Sequence, residues 1–189
     1  APPPATIVPA PITPSTTSPA ASPGIPIEVD SSLFEGPGGL PAHPIHYFVG
    51  RTLELTTLRE GLTRDPSVTC VVATGLGGVG KTSLVHHFVA TEAKELFEEA
   101  AWVDARDLWN DLGRVARRFG WKDGDRAPSV EEATRFLTTA LFERSVLLVI
   151  DNVDLGVIDV RKIPIPGGRC RTVITSRSSR SATARAARA

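Results

Sequence analysis

Short apolar runs alternate with amphipathic segments along the chain from Phe48 onward. Runs rich in β-branched residues predict four strands, at 68–73, 100–103, 146–150 and 172–175. The run 146–150 is apolar at every position, which is typical of a strand covered on both faces of a parallel sheet. Because these strands alternate with predicted helices, the pattern indicates βαβ units and an α/β fold with a mostly parallel sheet.

Apolar residues spaced three or four positions apart predict one helix before the first strand and three between the strands. Thr52 and Asp107 stand where residues that cap helix N-termini are expected. Ser129 and Glu132 have the spacing of a capping box, in which each side chain bonds the backbone N–H of the other residue. The inward positions of the four helices are Leu55, Leu58 and Leu62; Leu84, Val85, Phe88, Val89 and Ala93; Leu108, Leu112, Val115, Ala116 and Phe119; and Val130, Ala133, Leu137 and Leu141.

The two ends of the chain differ from this middle in composition. Twelve of the 16 prolines precede Val49, and no Lys or Arg occurs before Arg51. Each proline fixes φ and removes a backbone donor, so residues 1–45 are predicted to be a disordered Pro-rich linker, or else a Pro-rich ligand for a partner domain. Residues 178–189 contain only Ser, Arg, Ala and Thr and are predicted to be a low-complexity basic tail. The domain itself is therefore expected at 46–177.

Composition excludes several classes of protein. The net charge is +0, which argues against a dedicated nucleic-acid binder. Two cysteines supply neither a disulfide framework nor a zinc site, which takes about four ligands. No window reaches the ~18 apolar residues of a membrane-spanning helix. The chain starts with Ala1, has no Met and shows no signal peptide, so we expect a processed chain or a fragment that is located in the cytoplasm.

The segment 75–82, GLGGVGKT, fits the phosphate-loop pattern G-x-x-x-x-G-K-[ST] at every position. Glycines in such a loop let backbone N–H groups turn toward an anion, and the helix that follows adds its positive end. Lys81 would place a cation at the outer phosphates, and the Thr82 hydroxyl would bind Mg²⁺. Asp151 directly follows the buried run 146–150 and is the matching carboxylate for the metal.

Four motifs occur in a specific order: FVGR at 48–51, GLGGVGKTSL at 75–84, LLVIDNV at 147–153 and RTVITSR at 171–177. In this order they resemble the NB-ARC group of signal-transduction ATPases, the STAND NTPases. That group includes apoptotic protease-activating factors, plant disease-resistance proteins and many bacterial regulators. The resemblance implies a three-layer P-loop NTPase fold that binds ADP or ATP with Mg²⁺.

The resemblance also implies roles for individual residues. Val49 and Arg51 would contact the base, and Arg177 would sense the γ-phosphate. Thr82 and Asp151 would hold Mg²⁺. The candidates for catalysis are Lys81, Asp151 and Arg177, and the residues expected to bind the nucleotide are Val49, Arg51, Gly75, Gly77, Gly78, Val79, Gly80, Lys81, Thr82 and Ser83.

Two positions depart from the family pattern. Thr52 follows the entry motif where the family often has an acid, and Asn152 stands where it often has a second acid after Asp151. Because an Asn side chain cannot take a proton from water, we expect slow hydrolysis or none. Slow hydrolysis suits a switch that is set by the bound nucleotide.

The family continues with a fifth strand, a helical subdomain and a winged helix, for which no sequence follows Arg177, so the fold is expected to be incomplete. By resemblance, the sheet order is the second, third, fourth and first predicted strand. This order leaves the strand 68–73 at an open edge, where unpaired backbone groups make self-association possible.

The leading interpretation is the nucleotide-binding core of a signalling or regulatory switch protein, with slow ATPase activity at most. Its partners would be nucleotide and the other domains or proteins of a signalling assembly. The alternatives are a small-molecule kinase or other P-loop phosphotransferase, the ATPase module of a transcriptional regulator, and a degenerate interaction module. A kinase needs an acceptor site with its own Asp or Arg cluster, and the sequence indicates no such cluster.

Overall fold

The computed structural model describes residues 6–7, 48–122, 126–154 and 158–177. Its strands form one parallel sheet in the order β1-β2-β5-β4-β3. The order of the last four strands is the order expected from the resemblance. The strands are β1 (Thr6–Ile7), β2 (Cys70–Thr74), β3 (Glu99–Asp104), β4 (Val146–Val153) and β5 (Arg171–Ser176).

Four helices follow the predicted apolar spacing, but the helix predicted to include Ala93 ends at Thr91, and Ala93 begins a separate short helix. In the described ranges the helices are accompanied by the short 3-10 turns Ala105–Asp107 and Val160–Lys162. Among the helices in the described ranges, none is long and apolar enough to cross a membrane. The helices are α1 (Thr52–Thr63), α2 (Lys81–Thr91), α3 (Ala93–Leu96), α4 (Leu108–Arg118) and α5 (Val130–Ala140).

The predicted capping box at the start of α5 is confirmed. The Ser129 hydroxyl accepts from the Glu132 backbone N–H at 3.2 Å, and the Glu132 carboxylate accepts from the Ser129 N–H at 2.8 Å. The predicted cap at Thr52 is wrong, because Thr52 is already helical and the N-cap of α1 is Arg51, with φ of +60°. Asp107 is the N-cap of α4 as predicted, although its side chain forms no capping hydrogen bond.

Apolar helix faces cover both sides of the sheet and give the three-layer architecture. One cluster joins Leu58 of α1 and Phe88 of α2 to one face of β4. The other joins Leu112 of α4 and Leu137 of α5 to the opposite face. The central strand β4 alternates between them: Leu147 and Val149 are buried in the first cluster, and Leu148 and Ile150 in the second. This double burial confirms why 146–150 has no polar position.

The edge of the sheet next to β2 differs from the expectation. The sequence predicts an open edge here and an unstructured linker at 1–45, whereas Thr6–Ile7 forms the strand β1 beside β2, with Thr6 opposite Val72 and Ile7 opposite Ala73. Apart from Thr6–Ile7, the predicted linker 1–45 lies outside the described residues, and so does the predicted tail 178–189. A strand of two residues between Pro4 and Pro9 is too short to show a periodic pattern in the sequence. It pairs through the backbone N–H and C=O groups that β2 presents at its edge.

The two cysteines are unpaired and belong to neighbouring parts of the sheet. Cys70 begins β2, and Cys170 directly precedes β5. Burial raises the pKa of both thiols to about 12, which disfavours the reactive thiolate. Both residues therefore act as small apolar groups of the core.

A tight turn before β5 depends on a glycine. Gly168 has φ of +61°, and the N–H of the next residue, Arg169, donates to the Phe142 carbonyl at 2.8 Å. A β-carbon at Gly168 would overlap that carbonyl group. Gly120 also has a positive φ, of +104°, but a β-carbon there would meet nothing within 4 Å.

We predict that Gly168→Ala lowers the free energy of unfolding by at least about 2 kcal/mol more than Gly120→Ala does. Both substitutions carry the cost of a positive φ, and +104° at Gly120 lies outside the left-handed region that alanine can adopt. An excess loss at Gly168 therefore reports the overlap with Phe142. Urea denaturation of the two variants and the wild type gives these free energies. Equal losses in the two variants would show that the turn can move to accept a side chain.

Candidate functional site

The loop between β2 and α2 has the backbone that an anion site requires. Gly78 and Gly80 have φ of +77° and +84°, a conformation that glycine adopts without strain. Gly80 is the N-cap of α2 and has no capping side chain of its own. The N–H groups of the first turn are thus oriented toward the loop, together with the positive end of the helix.

Lys81 begins α2 and folds back over this loop. Its ammonium Nζ donates to the carbonyl oxygens of Gly75 and Leu76, both at 2.9 Å. Burial lowers the pKa of Lys81 from its usual value, the charge of Asp151 raises it, and the charges of Arg177 and Arg51 lower it further. The loop therefore holds a lysine surrounded by other cations, which an anionic ligand would stabilise.

Asp151 is the centre of the polar network at the carboxyl ends of the strands. Its side chain is 3% exposed. One carboxylate oxygen, Oδ1, accepts from the hydroxyls of Thr82, at 2.9 Å, and Thr175. The other, Oδ2, accepts from the side-chain amide of Asn152 at 3.0 Å. The structure thus brings together Thr82 and Asp151, the two residues predicted to hold a metal.

The network continues from β4 to the end of β3. The Asn152 amide also donates to Asp104 at 3.3 Å, and Asp104 is the register partner of Asp151. Asp104 in turn accepts from the Arg106 side chain, with Nε at 3.0 Å from both carboxylate oxygens. Burial opposes ionisation of Asp104, but hydrogen bonds from Arg106 and Asn152 outweigh it, so the pKa of Asp104 lies below its usual value.

The entry motif lies against the outside of the phosphate loop. The Arg51 guanidinium donates to the carbonyls of Val79, at 2.9 Å, and Gly80, at 3.1 Å. The Val49 side chain is exposed, and the Phe48 ring stacks on His87 of α2 with centroids 4.1 Å apart. Arg51 therefore supports the loop in this structure, and the contacts of Val49 and Arg51 with a base stay a prediction.

Arg177 follows β5 and lies on the other side of the loop. Its guanidinium is 3.4 Å from the Asp154 carboxylate. A β-carbon added at Gly77 would be 3.7 Å from Cδ of Arg177, so the arginine packs closely over the loop. This position is compatible with the predicted contact to a terminal phosphate, which stays a prediction.

A cavity of about 440 Å³ lies between the loop and the strand ends. Seven of the predicted site residues line it, and among the described lining residues none is an acid and three are cations. Gly75, Val79 and Asp151 are not among the lining residues. The lining residues are Gly77, Gly78, Gly80, Lys81, Thr82, Ser83, Arg106, Asn152, Val153, Thr175, Ser176 and Arg177.

Sequence reasoning missed Arg106, Thr175 and Asp104 as members of this site. All three lie at the carboxyl end of a predicted strand or just beyond it. Because the carboxyl ends of parallel strands meet at one edge of the sheet, where ligands of α/β proteins bind, the strand ends themselves were the available signal.

Comparison with known proteins gives one family. The model of the NB-ARC domain matches residues 51–188. None of the curated proteins that were compared matches the chain. Among solved structures, Cdc6p from Pyrobaculum aerophilum is similar over 79% of this chain and 43% of that one, with 19% sequence identity and a TM-score of 0.48. The chain thus spans less than half the length of that protein.

We predict that Lys81→Ala weakens ADP binding about ten- to hundredfold, which corresponds to a lost charge-assisted contact of roughly 1.5–3 kcal/mol. The backbone of the loop remains, so binding is weakened rather than abolished. Calorimetric titration measures the change. The matched control is Lys162→Ala, which removes an exposed lysine paired with Glu131, at 2.9 Å, outside the cavity lining. Equal ADP affinity in wild type and Lys81→Ala would contradict the assignment.

We predict that Asp151→Asn weakens ATP binding in the presence of Mg²⁺ more than in EDTA. The carboxylate would act through the ion, so its loss is visible only when the ion is present. Titrations of both proteins under both conditions give the four affinities that are needed. An equal loss with and without Mg²⁺ would instead assign Asp151 a purely structural role, as the acceptor for Thr82, Thr175 and Asn152.

Proposed function

The chain belongs to the NB-ARC family of nucleotide-binding P-loop NTPase modules, and we propose that it binds ADP or ATP with Mg²⁺ as the core of a regulatory switch. The observation that carries the proposal is the 2.9 Å contact between the Thr82 hydroxyl and the Asp151 carboxylate. It joins the phosphate loop to the acid at the end of β4. Two separate motifs thereby form one site.

The residues present fit a magnesium ion. Mg²⁺ holds oxygen ligands at about 2.1 Å in an octahedron, so two adjacent ligands lie about 3 Å apart. The oxygens of Thr82 and Asp151 have this separation, and both are the hard donors that Mg²⁺ prefers. Thr82 and Asp151 would hold the ion, which when bound would neutralise charge on the phosphates.

The charge of the cavity suits phosphate groups. Lys81, Arg106 and Arg177 line it, and within the described lining no carboxylate repels an anion. The acidic partners Asp104 and Asp154 hold the two arginines from outside this lining. A polyanionic ligand is therefore favoured over a neutral or cationic one.

The same surroundings favour slow hydrolysis. Asn152 lines the cavity, and its amide nitrogen is engaged by Asp151 and Asp104. An amide does not take a proton from water at neutral pH, and Asp104, whose pKa is lowered, is a weak base. Bound ATP would thus stay unhydrolysed long enough for the identity of the nucleotide, ATP or ADP, to determine the state of the switch.

A phosphotransferase is the second class that the sequence left open. It needs a group that accepts a proton from the acceptor hydroxyl, as the catalytic Asp does in protein kinases. No carboxylate or histidine occurs in the described lining of the cavity, and the adjacent carboxylates of Asp104 and Asp151 already accept hydrogen bonds from Arg106 and Thr82. This favours the switch over the transferase.

The signalling partners and the cytoplasmic location expected from the sequence stay predictions. Self-association stays a prediction too, but β1 pairs with the edge of β2 on which that expectation was based.

Thermal melting with nucleotide tests this proposal. With Mg²⁺-ADP at about 100 times its Kd, binding stabilises the fold by about 2.7 kcal/mol and raises the Tm by about 5–10 °C. Phosphate release from ATP is expected on the order of 0.01 per second or slower. Lys81→Ala is the control and should show a smaller shift at the same ADP concentration.

Each outcome separates the alternatives. If neither ADP nor ATP raises the Tm, the degenerate interaction module is the better interpretation. Phosphate release faster than about 1 per second would identify an ordinary enzyme rather than a switch. Transfer of a labelled phosphate group from ATP to an added small-molecule acceptor would support the phosphotransferase.

A further inference from the structure

Two arginines line the cavity, and an aspartate holds each of them. Arg177 follows β5 and is paired with Asp154 at 3.4 Å. Arg106 follows β3 and is paired with Asp104 through Nε at 3.0 Å. Of these two arginines, the resemblance assigns a phosphate contact only to Arg177 and gives no role to Arg106.

The contacts of Arg106 leave part of its guanidinium exposed to a ligand in the cavity. It lies in the 3-10 turn Ala105–Asp107, and its backbone N–H also donates to Asp104 at 3.0 Å. The side-chain bonds to Asp104 use Nε and Nη2, and within the part of the chain that the structure describes Nη1 forms no hydrogen bond. The side chain is 72% exposed, yet it lines the cavity. Asp104 thus holds one edge of the guanidinium, through Nε and Nη2, and Nη1 is available to a ligand.

We propose that Arg106 binds the terminal phosphate of a nucleoside triphosphate and so makes the site distinguish the triphosphate from the diphosphate. This inference rests on the proposed function, because it concerns the same site. An arginine in this role forms short, charge-assisted hydrogen bonds with the phosphate oxygens.

The sheet order explains why the terminal phosphate is the group within reach. The phosphate loop follows β2, and β5 and β4 separate β2 from β3. The loop amides and Lys81 hold phosphates at the β2 side, whereas Arg106 enters the cavity from the β3 side, beyond Asp151. Arg106 bonds Asp104, and the Asn152 amide joins Asp104 to Asp151, so the arginine is linked to the proposed metal site through two hydrogen-bonded residues. The end of the phosphate chain farthest from the loop is therefore the part that would extend toward Arg106.

Asp104 determines where the guanidinium lies. Its carboxylate accepts from Arg106 and Asn152, and its own backbone N–H donates to Asp111 of α4 at 2.8 Å. The arginine is therefore fixed to the core of the domain rather than to a solvent-exposed loop. Such preorganisation lowers the cost of ordering the side chain when a phosphate binds.

Titration of the full chain with ADP and with the non-hydrolysable analogue AMP-PNP, both with Mg²⁺, tests the inference. We expect Arg106→Gln to weaken AMP-PNP binding about ten- to hundredfold and ADP binding less than about threefold. Arg106→Lys keeps the charge without the planar fork, so a smaller loss for AMP-PNP and none for ADP is expected. The control is Arg169→Gln, which removes an exposed arginine paired with Glu98 at 3.2 Å, and it should change neither affinity.

The results separate this inference from the proposed function. If the wild type binds neither nucleotide, the proposed function fails. If the wild type binds both and Arg106→Gln binds both equally well, only the role of Arg106 is overturned. An equal loss for ADP and AMP-PNP would place Arg106 on the inner phosphates and would also overturn the inference. Melting without nucleotide verifies that each variant is folded.

Discussion

The buried carboxylate of Asp151 holds the functional edge of this protein together. A carboxylate that is 3% exposed must find donors, because desolvation of its charge is otherwise costly. Thr82 on α2, Thr175 on β5 and Asn152 beside it supply them. Through these bonds one side chain fixes the start of the phosphate-loop helix against two strand ends. The position of the loop relative to the sheet therefore depends on the same group that is proposed to hold the metal.

The cations of the site are stabilised without filling the cavity with negative charge. Lys81 donates to two loop carbonyls, and Arg51 supports the loop from outside through two others. Arg106 and Arg177 are held by aspartates that lie outside the lining. The positive charges are thus balanced by backbone carbonyls and by aspartates outside the lining. The potential inside the cavity therefore stays positive and attracts an anion.

The local backbone at Asn152 explains why an amide at this position contacts two acids. Asn152 has φ of +60°, in the left-handed region that Asn enters more readily than most residues, and the pairing of β4 with β5 is irregular between Ile150 and Val153. The irregularity allows the amide to donate to both Asp151 and Asp104. An amide thus bridges two carboxylates at a position where the family resemblance leads one to expect an acid, and the proposed slow hydrolysis is based on this difference.

The sequence by itself determined the features that local physics controls. Glycine and lysine spacing identified the loop, apolar runs identified the four long strands, and Ser129 with Glu132 identified the start of α5, because each signal lies within a few neighbouring residues. Only the tertiary structure decided that Arg106 and Thr175 join the site, that Arg51 lies against the loop carbonyls, and that Thr6–Ile7 pairs with the edge of β2. These contacts join residues far apart in the chain, and their geometry is set by strand register and helix packing. Both depend on how the two apolar clusters fill the space on either side of the sheet.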